Sequence, residues 1–591
     1  MNARSLLTVA VLLPLGWRPS GEPPRPRPNI LLILTDDMGY GDYSLAGNPH
    51  LHTPNLDRLA REGVRFTNFY VSPVCAPTRA SLLTGRYHQR TGVRSVTNGF
   101  ETIAPDETTL AEILNRAGYR TGLFGKWHLG ENYPSLPNAQ GFGTYIGFRT
   151  GHFDHYVNPT LERNGQPYPT QGYITDVLTD EAIRFVDQAE GGKPFFCYLP
   201  YNAPHTPLDV ADRYVQAFRA KGLSDNVARV YGMIKNLDEN VGRLLAHLDQ
   251  RGLTSNTIVI FLSDNGPIWR TNRPDDVRYN AGLRDKKFSV YEGGIRTQCF
   301  VRWPGHISAN RAEEAVAAHI DLLPTLLDLG GIAQPKPVAM DGRSLRPLLE
   351  ASPQAWPERT LYLNYALKTL HEPAPYPGGM ARTQRYKMVN GTELYDLQAD
   401  PAEARNVADQ HPALLHRLDS LYRQWWQQTH AQRGFRRLPI PVGHAEANPV
   451  TLTPHLGRAQ GTLRYLGDRG IIDGKRVIGP HPEGVDGDWL SGWTSSQDEV
   501  YWDLAITRPG TYDVALTLRA QTNTSDPVVQ VRVGNRSVKK SLTTLKPGEW
   551  TPRLLGRLTL NAGPATLTVR ATNRTGRDPI DLKNVQLYRL K

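Results

Sequence analysis

The sequence predicts an α/β domain with a mainly parallel sheet sandwiched by helices, followed by an all-β sandwich. Three observations predict it. Apolar runs alternate with helical patterns over the first two thirds of the 591 residues. Those runs are near-continuous rather than alternating, as strands covered on both faces require. From about Val450, helical patterning gives way to alternating segments separated by Gly, Pro and Asn turns, the texture of a sandwich. The length also exceeds what one hydrophobic core serves, so two domains are expected.

The elements follow in order. "MNARSLLTVAVLLPLGW" places Arg4 before a short apolar run, Leu6 to Leu15, which gives way to "RPSGEPPRPRP". The run is too brief to span a bilayer and has the shape of a secretory signal. Residues 1–27 are therefore read as signal plus proline-rich segment, and the protein as exported, periplasmic or extracellular. No later segment reads as transmembrane, so no stable membrane insertion is expected. "NILLILT" at 29–35 reads as a strand, "NLDRLAREG" at 55–63 and "TLAEILNRAGY" at 109–119 as helices, and "YRTGLFG" at 119–125 as a strand. A helix over "YITDVLTDEAIRFVDQA", a strand over "PFFCYLPYN", a long helix through "NVARVYGMIKNLDENVGRLLAHLDQRG" and a strand over "NTIVIFLSDNG" continue the pattern. Around "TELYDLQADPAEARNVAD" the chain reads as irregular, and a helix carrying Leu414, Leu418, Leu421 and Trp425 closes the first domain. The resulting division is a catalytic-size domain over 28–430, a linker over 431–449 and a β-sandwich over 450–591.

Composition narrows the function classes. The net charge of +11 comes without any run of five or more basic residues, so it reads as overall composition, and no nucleic-acid partner is expected. Three cysteines do not make a disulfide scaffold. Cys197 and Cys299 lie inside apolar runs and read as buried inert thiols in preference to a disulfide pair.

In a parallel sheet, ligands gather where loops leave the carboxyl ends of strands. Two such ends are acidic: "LLILTDDMGYGD" supplies Asp36 and Asp37, and "IVIFLSDNG" supplies Asp264 and Asn265. Either loop alone would by default be a capping device. Together, three carboxylates and an amide make an all-oxygen set suited to calcium, with magnesium as the alternative. Cys75 stands apart from the other thiols, between Pro73 and Pro77 in "SPVCAPTRASLLTGRY". Pro77 suits the first position of a helix stopped by Gly85, which sets Cys75 just ahead of a helix N-terminus. Free amides there favour an anion and are expected to depress the thiol pKa, and Arg79 lies about one turn on.

"CAPTRASLLTGR" resembles the signature of the type I, formylglycine-dependent sulfatases, the arylsulfatase-like members of the alkaline-phosphatase-like superfamily. The resemblance extends in order through "NILLILTDDMGYGD", "GKWHLG", "YNAPHTPL", "FLSDNG" and "LRDKKFSVYEGGIR", six motifs spread over roughly residues 28–430. It implies the alkaline-phosphatase-like fold and sulfate-ester hydrolysis. It also implies a maturation enzyme that oxidises Cys75 to formylglycine, whose hydrated aldehyde is the nucleophile. The implied metal set is Asp36, Asp37, the oxidised Cys75, Asp264 and Asn265. Arg79 and Lys126 would stabilise the nucleophile and the developing charge. His128 would take a proton from the second hydroxyl and so expel sulfate, while His205 and Lys287 would bind the sulfate and protonate the departing oxygen. Two departures stand out: Thr78 replaces the usual serine, and Asp285 replaces a common glycine. Two adjacent lysines compete for one role, and counting back from Glu292 of "YEGG" favours Lys287 over Lys286.

The expected substrate is a sulfated carbohydrate or an aryl sulfate. A phosphonate or phosphate-diester hydrolase of the same superfamily, and a decayed glycan-binding protein, are the rival readings. "GFRTGHFDHYVNPTLERNGQPY" is the candidate pocket wall, with His152, Asp154 and His155 set to meet sugar hydroxyls or simply forming a solvated loop. In the sandwich, Trp489, Trp493 and Trp550 either stack on sugars or fill the core.

Overall fold

The structure is a computed structural model that describes residues 26–590 except 189–191, 269–276, 336–338, 353–355, 366–373, 473–474, 482–488, 496, 521–526, 543–544 and 573–579. The expected signal segment lies outside the described residues, apart from its last two positions. The first domain lays down β1 (Asn29–Thr35), α1 (Pro54–Arg61), β2 (Val64–Tyr70), α2 (Cys75–Thr84), α3 (Leu110–Arg116) and β3 (Arg120–Lys126). Next come β4 (Thr144–Phe148), β5 (Thr160–Arg163), β6 (Gln166–Pro169), α4 (Ile174–Asp187), β7 (Phe195–Pro200), α5 (Asp212–Arg219) and α6 (Asp225–Gln250). β8 (Thr257–Ser263), β9 (Arg296–Arg302), β10 (Arg311–Glu313) and β11 (Ala317–Ala318) complete an 11-stranded sheet ordered β10-β2-β9-β8-β1-β7-β3-β4-β5-β6, with β11 also on β2.

The central strands β8, β1, β7, β3 and β4 are all parallel. Their continuous apolar runs have a direct cause. Leu31 and Ile33 face one core layer with α4 and α6, while Ile30, Leu32 and Leu34 face a second with α2 and α3. Every residue of β1 is buried, and the five positions between its polar ends Asn29 and Thr35 are all apolar. The flanks are antiparallel, β9 against both β8 and β2 on one side and the β5–β6 hairpin on the other. Cys197 belongs to one core layer and Cys299 to the other, and all three cysteines are free and buried.

Where the sequence reads as irregular, the chain folds a four-stranded antiparallel sheet that takes in Glu393–Asp396. Leu418, Tyr422 and Trp425 of the helix Pro412–Arg433 pack into the same core as Met380 and Met388 of that sheet. The C-terminal part is two sheets of six and seven strands around a core that includes Trp502, Val514 and Leu567. Its strands are antiparallel, apart from Ile440–Val442, which runs parallel to Glu499–Ile506. That strand falls in the stretch read as a linker. Trp493 is buried within this core, so the sugar-stacking option fails for it. Trp489 and Trp550 are half-buried and both clasp the Arg519 guanidinium, 4.5 Å from each ring. Among the described residues, no helix is long and apolar enough to cross a membrane.

Candidate active site

The predicted residues come from strand ends because parallel order aligns those ends. Asp36 and Asp37 follow β1, Asp264 and Asn265 follow β8, Lys126 closes β3, and His205 lies in the loop after β7. α2 enters from beneath, buried along its whole length, and its C-cap Gly85 has the left-handed φ of 67° that suits glycine. The helix begins at Cys75 itself, two residues before the expected start at Pro77. Pro77 is tolerated because the first turn has no backbone acceptors for its amides.

Cationic side chains lock the carboxylates in place. Lys126 Nζ lies 2.6 Å from Asp36 Oδ2, and Lys287 Nζ lies 2.6 Å from Asp37 Oδ1. Arg79 donates to Asp264 Oδ2 from Nη2 at 2.7 Å and from Nε at 3.2 Å, and to the Lys126 carbonyl at 3.1 Å. Asn265 Nδ2 donates to Asp37 Oδ1 at 2.7 Å. Lys287 is buried and Lys286 only partly so; the lysine in the cluster is Lys287. Asp285, in place of glycine, keeps the turn by adopting φ 66°.

Three buried oxygens in this cluster have no hydrogen-bond partner: Asp36 Oδ1, Asp37 Oδ2 and Asn265 Oδ1. Potential ligand atoms of Asp36, Cys75 and Asp264 lie within 4.8 Å of one another, as do those of Asp36, Asp37 and His205. Unclaimed oxygens of this kind, gathered among carboxylates, fit a hard divalent cation. Asp37 also adopts φ 69°, a backbone strain that clusters at functional sites.

Protonation follows from burial and charge. Burial is the largest influence on Asp36 and raises its pKa, but Lys126, His205, Arg79 and Lys287 outweigh it and hold the group below the usual carboxylate range. Asp264 is pushed up to about 7 by burial and by Asp36. Burial likewise raises the Cys75 thiol, more than Lys126 and Lys287 lower it. The expected thiolate at the helix start is therefore not favoured, and an unmodified Cys75 is a poor nucleophile here. For Lys287, burial favours the neutral form, yet Asp37 and the neighbouring acidic groups dominate and keep it charged.

The two histidines differ in setting. His128 Nε2 faces the Val96 carbonyl at 2.9 Å, which fixes the proton there and leaves Nδ1 buried without a partner. Burial and Lys126 hold this ring neutral, so Nδ1 is an available base. His128 also adopts φ 59°. Gly151 makes room for its ring, since a Cβ there would meet Nε2 at 2.2 Å. His205 Nε2 lies 3.8 Å from Asp37 Oδ2, and burial pushes its pKa down to about 3.

Of the three pocket-wall candidates, His152 packs its ring edge to His205 at 5.7 Å and lies 3.2 Å from Asp154. His155 is exposed on the same loop, and no contact joins it to that group among the described residues. Two further residues escaped sequence reasoning. Arg278 is buried against Asp42, with Nε to Oδ1 at 3.0 Å, and donates from Nη2 to the Asp37 carbonyl at 2.9 Å. Asp42 Oδ2 accepts from Gly39 N at 2.6 Å. This pair braces the Asp36–Asp37 loop. Asp42 sits inside the quoted "TDDMGYGD", whereas Arg278 carries no local signal.

Residues 28–332 match the Sulfatase family, and residues 280–428 match the C-terminal family of N-sulphoglucosamine sulphohydrolase. An uncharacterised sulfatase of Escherichia coli (strain K12) is 33% identical over 388 residues, which cover 57% of this chain and 68% of that protein. N-acetylgalactosamine-6-sulfatase of Homo sapiens is 34% identical over 362 residues, 56% of this chain and 67% of the human protein. The crystal structure of Ps i-CgsB in complex with k-i-k-neocarrahexaose has a TM-score of 0.62 at 30% identity, covering 69% of this chain and 95% of that one.

Proposed function

This chain belongs to the sulfatase family and is a sulfuric ester hydrolase; from that premise we propose that it removes sulfate from a sulfated carbohydrate, using formylglycine made from Cys75 and a bound calcium ion. The observation that carries the reading is the position of Cys75, first in a buried helix, with its sulfur grouped with Asp36 and Asp264. The carbohydrate part is supported by the human relative, named for a sulfated amino sugar, and by the solved relative's bound oligosaccharide. The signal-like N-terminus supports export.

When hydrated, the formylglycine supplies an oxygen nucleophile for sulfur and a second hydroxyl through which sulfate is later expelled. Asp36, Asp37, Asp264 and Asn265 would hold a calcium ion, with magnesium as the alternative, which would supply Lewis acidity toward sulfate. The chain's own groups do the rest. Arg79 and Lys126 hold positive charge where negative charge grows. His128 Nδ1 takes the proton from the second hydroxyl. Lys287, firmly charged, clamps a sulfate oxygen. His205 is neutral alone, but an adjacent sulfate raises its pKa, so it carries the proton to the departing oxygen. We assign sugar contact to His152 and Asp154, since His152 adjoins His205 and lies 3.2 Å from Asp154.

Two measurements test this. Mass spectrometry of the peptide containing Cys75 should show replacement of CH2–SH by CHO, whereas an intact thiol in fully active protein would refute the nucleophile. Hydrolysis of matched aryl sulfate, phosphate diester and phosphonate esters should favour the sulfate; a preference for phosphorus would overturn the assignment.

A further inference from the structure

A second cluster of metal-ligating side chains lies away from this site, at the seam between the two domains. Glu101 and Glu131 come from loops of the catalytic domain, tied together by Ile103 N donating to the Leu129 carbonyl at 3.0 Å and Ser135 Oγ donating to the Ile103 carbonyl at 2.8 Å. His455 comes from the sandwich, in the short turn Pro454–Leu456, whose preceding carbonyl at Thr453 accepts from Trp502 Nε1 at 2.8 Å. One ligand atom from each of the three lies within 4.8 Å of the others. His455 Nε2 contacts Glu131 Oε1, and Thr453 Oγ1 lies 3.3 Å from Glu131 Oε2.

Glu101 is the observation that points to a ligand. It is 4% exposed, and neither of its carboxylate oxygens has a hydrogen-bond partner on another residue. Arg437 is held over the Phe100 ring at 4.9 Å and does not bond it. A buried carboxylate with both oxygens unclaimed is expensive to maintain. A crevice of about 40 Å3, lined by Thr102, Glu131 and Arg458 among others, joins the seam on the Glu131 side.

We propose that Glu101, Glu131 and His455 form a second cation site, for a first-row divalent ion of the zinc class, that pins the β-sandwich to the catalytic domain. The imidazole nitrogen separates it from the all-oxygen set at the strand ends, and two carboxylates with one histidine match the mixed ligands such ions take. The site has a consequence for catalysis. Glu131 lies three residues beyond His128, and its carbonyl accepts from Arg149 at 3.0 Å, so an ion there steadies the loop that carries His128 and follows Lys126 at the end of β3.

The test uses the full-length enzyme in saturating calcium, which fills the strand-end site. Calorimetric titration with Zn2+ should give one site per chain, and adding Zn2+ should raise the melting temperature. Co2+ in its place should give the visible absorption of a nitrogen-containing site. Since lost outer-shell partners alone weaken metal binding about 10–100-fold, Glu101→Gln and His455→Gln should each weaken Zn2+ binding at least about 100-fold. Both variants should keep their zinc-free melting temperature and calcium-dependent activity within reach of the parent. No Zn2+ binding by the parent, or equal binding by the Glu101→Gln variant, overturns the proposal. Glu101→Gln removes only charge, so it remains a test should His455→Gln fail to fold.

Discussion

Replacing Arg278 with methionine separates two things the Arg278–Asp42 pair does. The substitution leaves Asp42 fully buried, with Gly39 N as its remaining donor. Breaking a buried ion pair by removing one partner costs about 3–5 kcal/mol, so Arg278→Met should lose stability of that order in urea unfolding. The loss should shrink in acid. Burial already raises the Asp42 pKa against the opposing pull of Arg278; without the arginine it rises further, and protonation then removes the buried charge. The double variant Arg278→Met, Asp42→Leu has no orphaned charge and should recover most of the stability. It does not restore the donor to the Asp37 carbonyl, a bond of 2.9 Å. That bond is worth about 1–1.5 kcal/mol, or roughly tenfold in affinity. Calcium titration of aryl-sulfate hydrolysis, on enzyme stripped with a chelator, should therefore show about tenfold weaker calcium dependence in both variants. Full calcium affinity in the double variant would refute the bracing role. A single variant within about 1 kcal/mol of the parent would refute the buried charge pair.

Three further outcomes follow from the geometry. Lys287→Ala should lower kcat by about 100- to 1000-fold, the cost of removing one charge-stabilising donor, while Lys286→Ala should leave it unchanged; equal effects would mean the wrong lysine has been assigned. Gly151→Ala should lower kcat with calcium affinity intact, because its Cβ would meet His128 Nε2 at 2.2 Å; an unchanged rate would show that the ring does not need that space. His319, whose Nδ1 faces the Tyr70 carbonyl at 2.9 Å, is pushed by burial down to about 4. Its folded pKa is depressed, so its contribution is full above the unfolded value of about 6.5 and fades as pH falls. Between pH 7 and 5 the stability advantage of the parent over His319→Gln should shrink by about 2 kcal/mol in chemical denaturation; a constant difference would contradict a buried neutral ring.

Sequence reading reached the site because its chemistry is local. An acidic pair directly after an apolar strand, or a cysteine beside a proline at a helix start, can be seen in a window of a few residues. The central parallel strands were legible for the same reason, since burial on both faces leaves few polar positions inside them, as in Ile30–Leu34 of β1. The antiparallel flanks were not. β9 reads like its parallel neighbours because it too is buried, at six of seven positions, and direction leaves no mark on such a run. The small sheet ending at Glu393–Asp396 was missed because strands of 4 residues are too short to show a period. Arg278 and Asp42 are 236 residues apart, and His455 and Glu131 are 324 apart; partners at such separations are chosen by the fold. The thiol expectation failed for a related reason. A helix start is visible in sequence, but complete burial, which raises the Cys75 thiol pKa, is a property of the assembled core.

The charges at the strand ends give the arrangement its logic. Asp36, Asp37 and Asp264 are matched one for one by Lys126, Lys287 and Arg79, so the chain alone is close to neutral there and can bury the cluster without prohibitive cost. A divalent cation then leaves a net charge opposite in sign to that of the sulfate dianion, which forms only when sulfate is expelled from its ester with the hydrated formylglycine. The substrate ester carries less negative charge than this product. A site balanced in this way favours the later, more charged species over the bound ester, which is the differential binding that lowers a barrier. On that account, neutralising Lys126 to methionine should cost more in kcat than in KM, because the lost charge matters most where negative charge has grown. A change confined to KM would show instead that the cations serve ground-state binding alone.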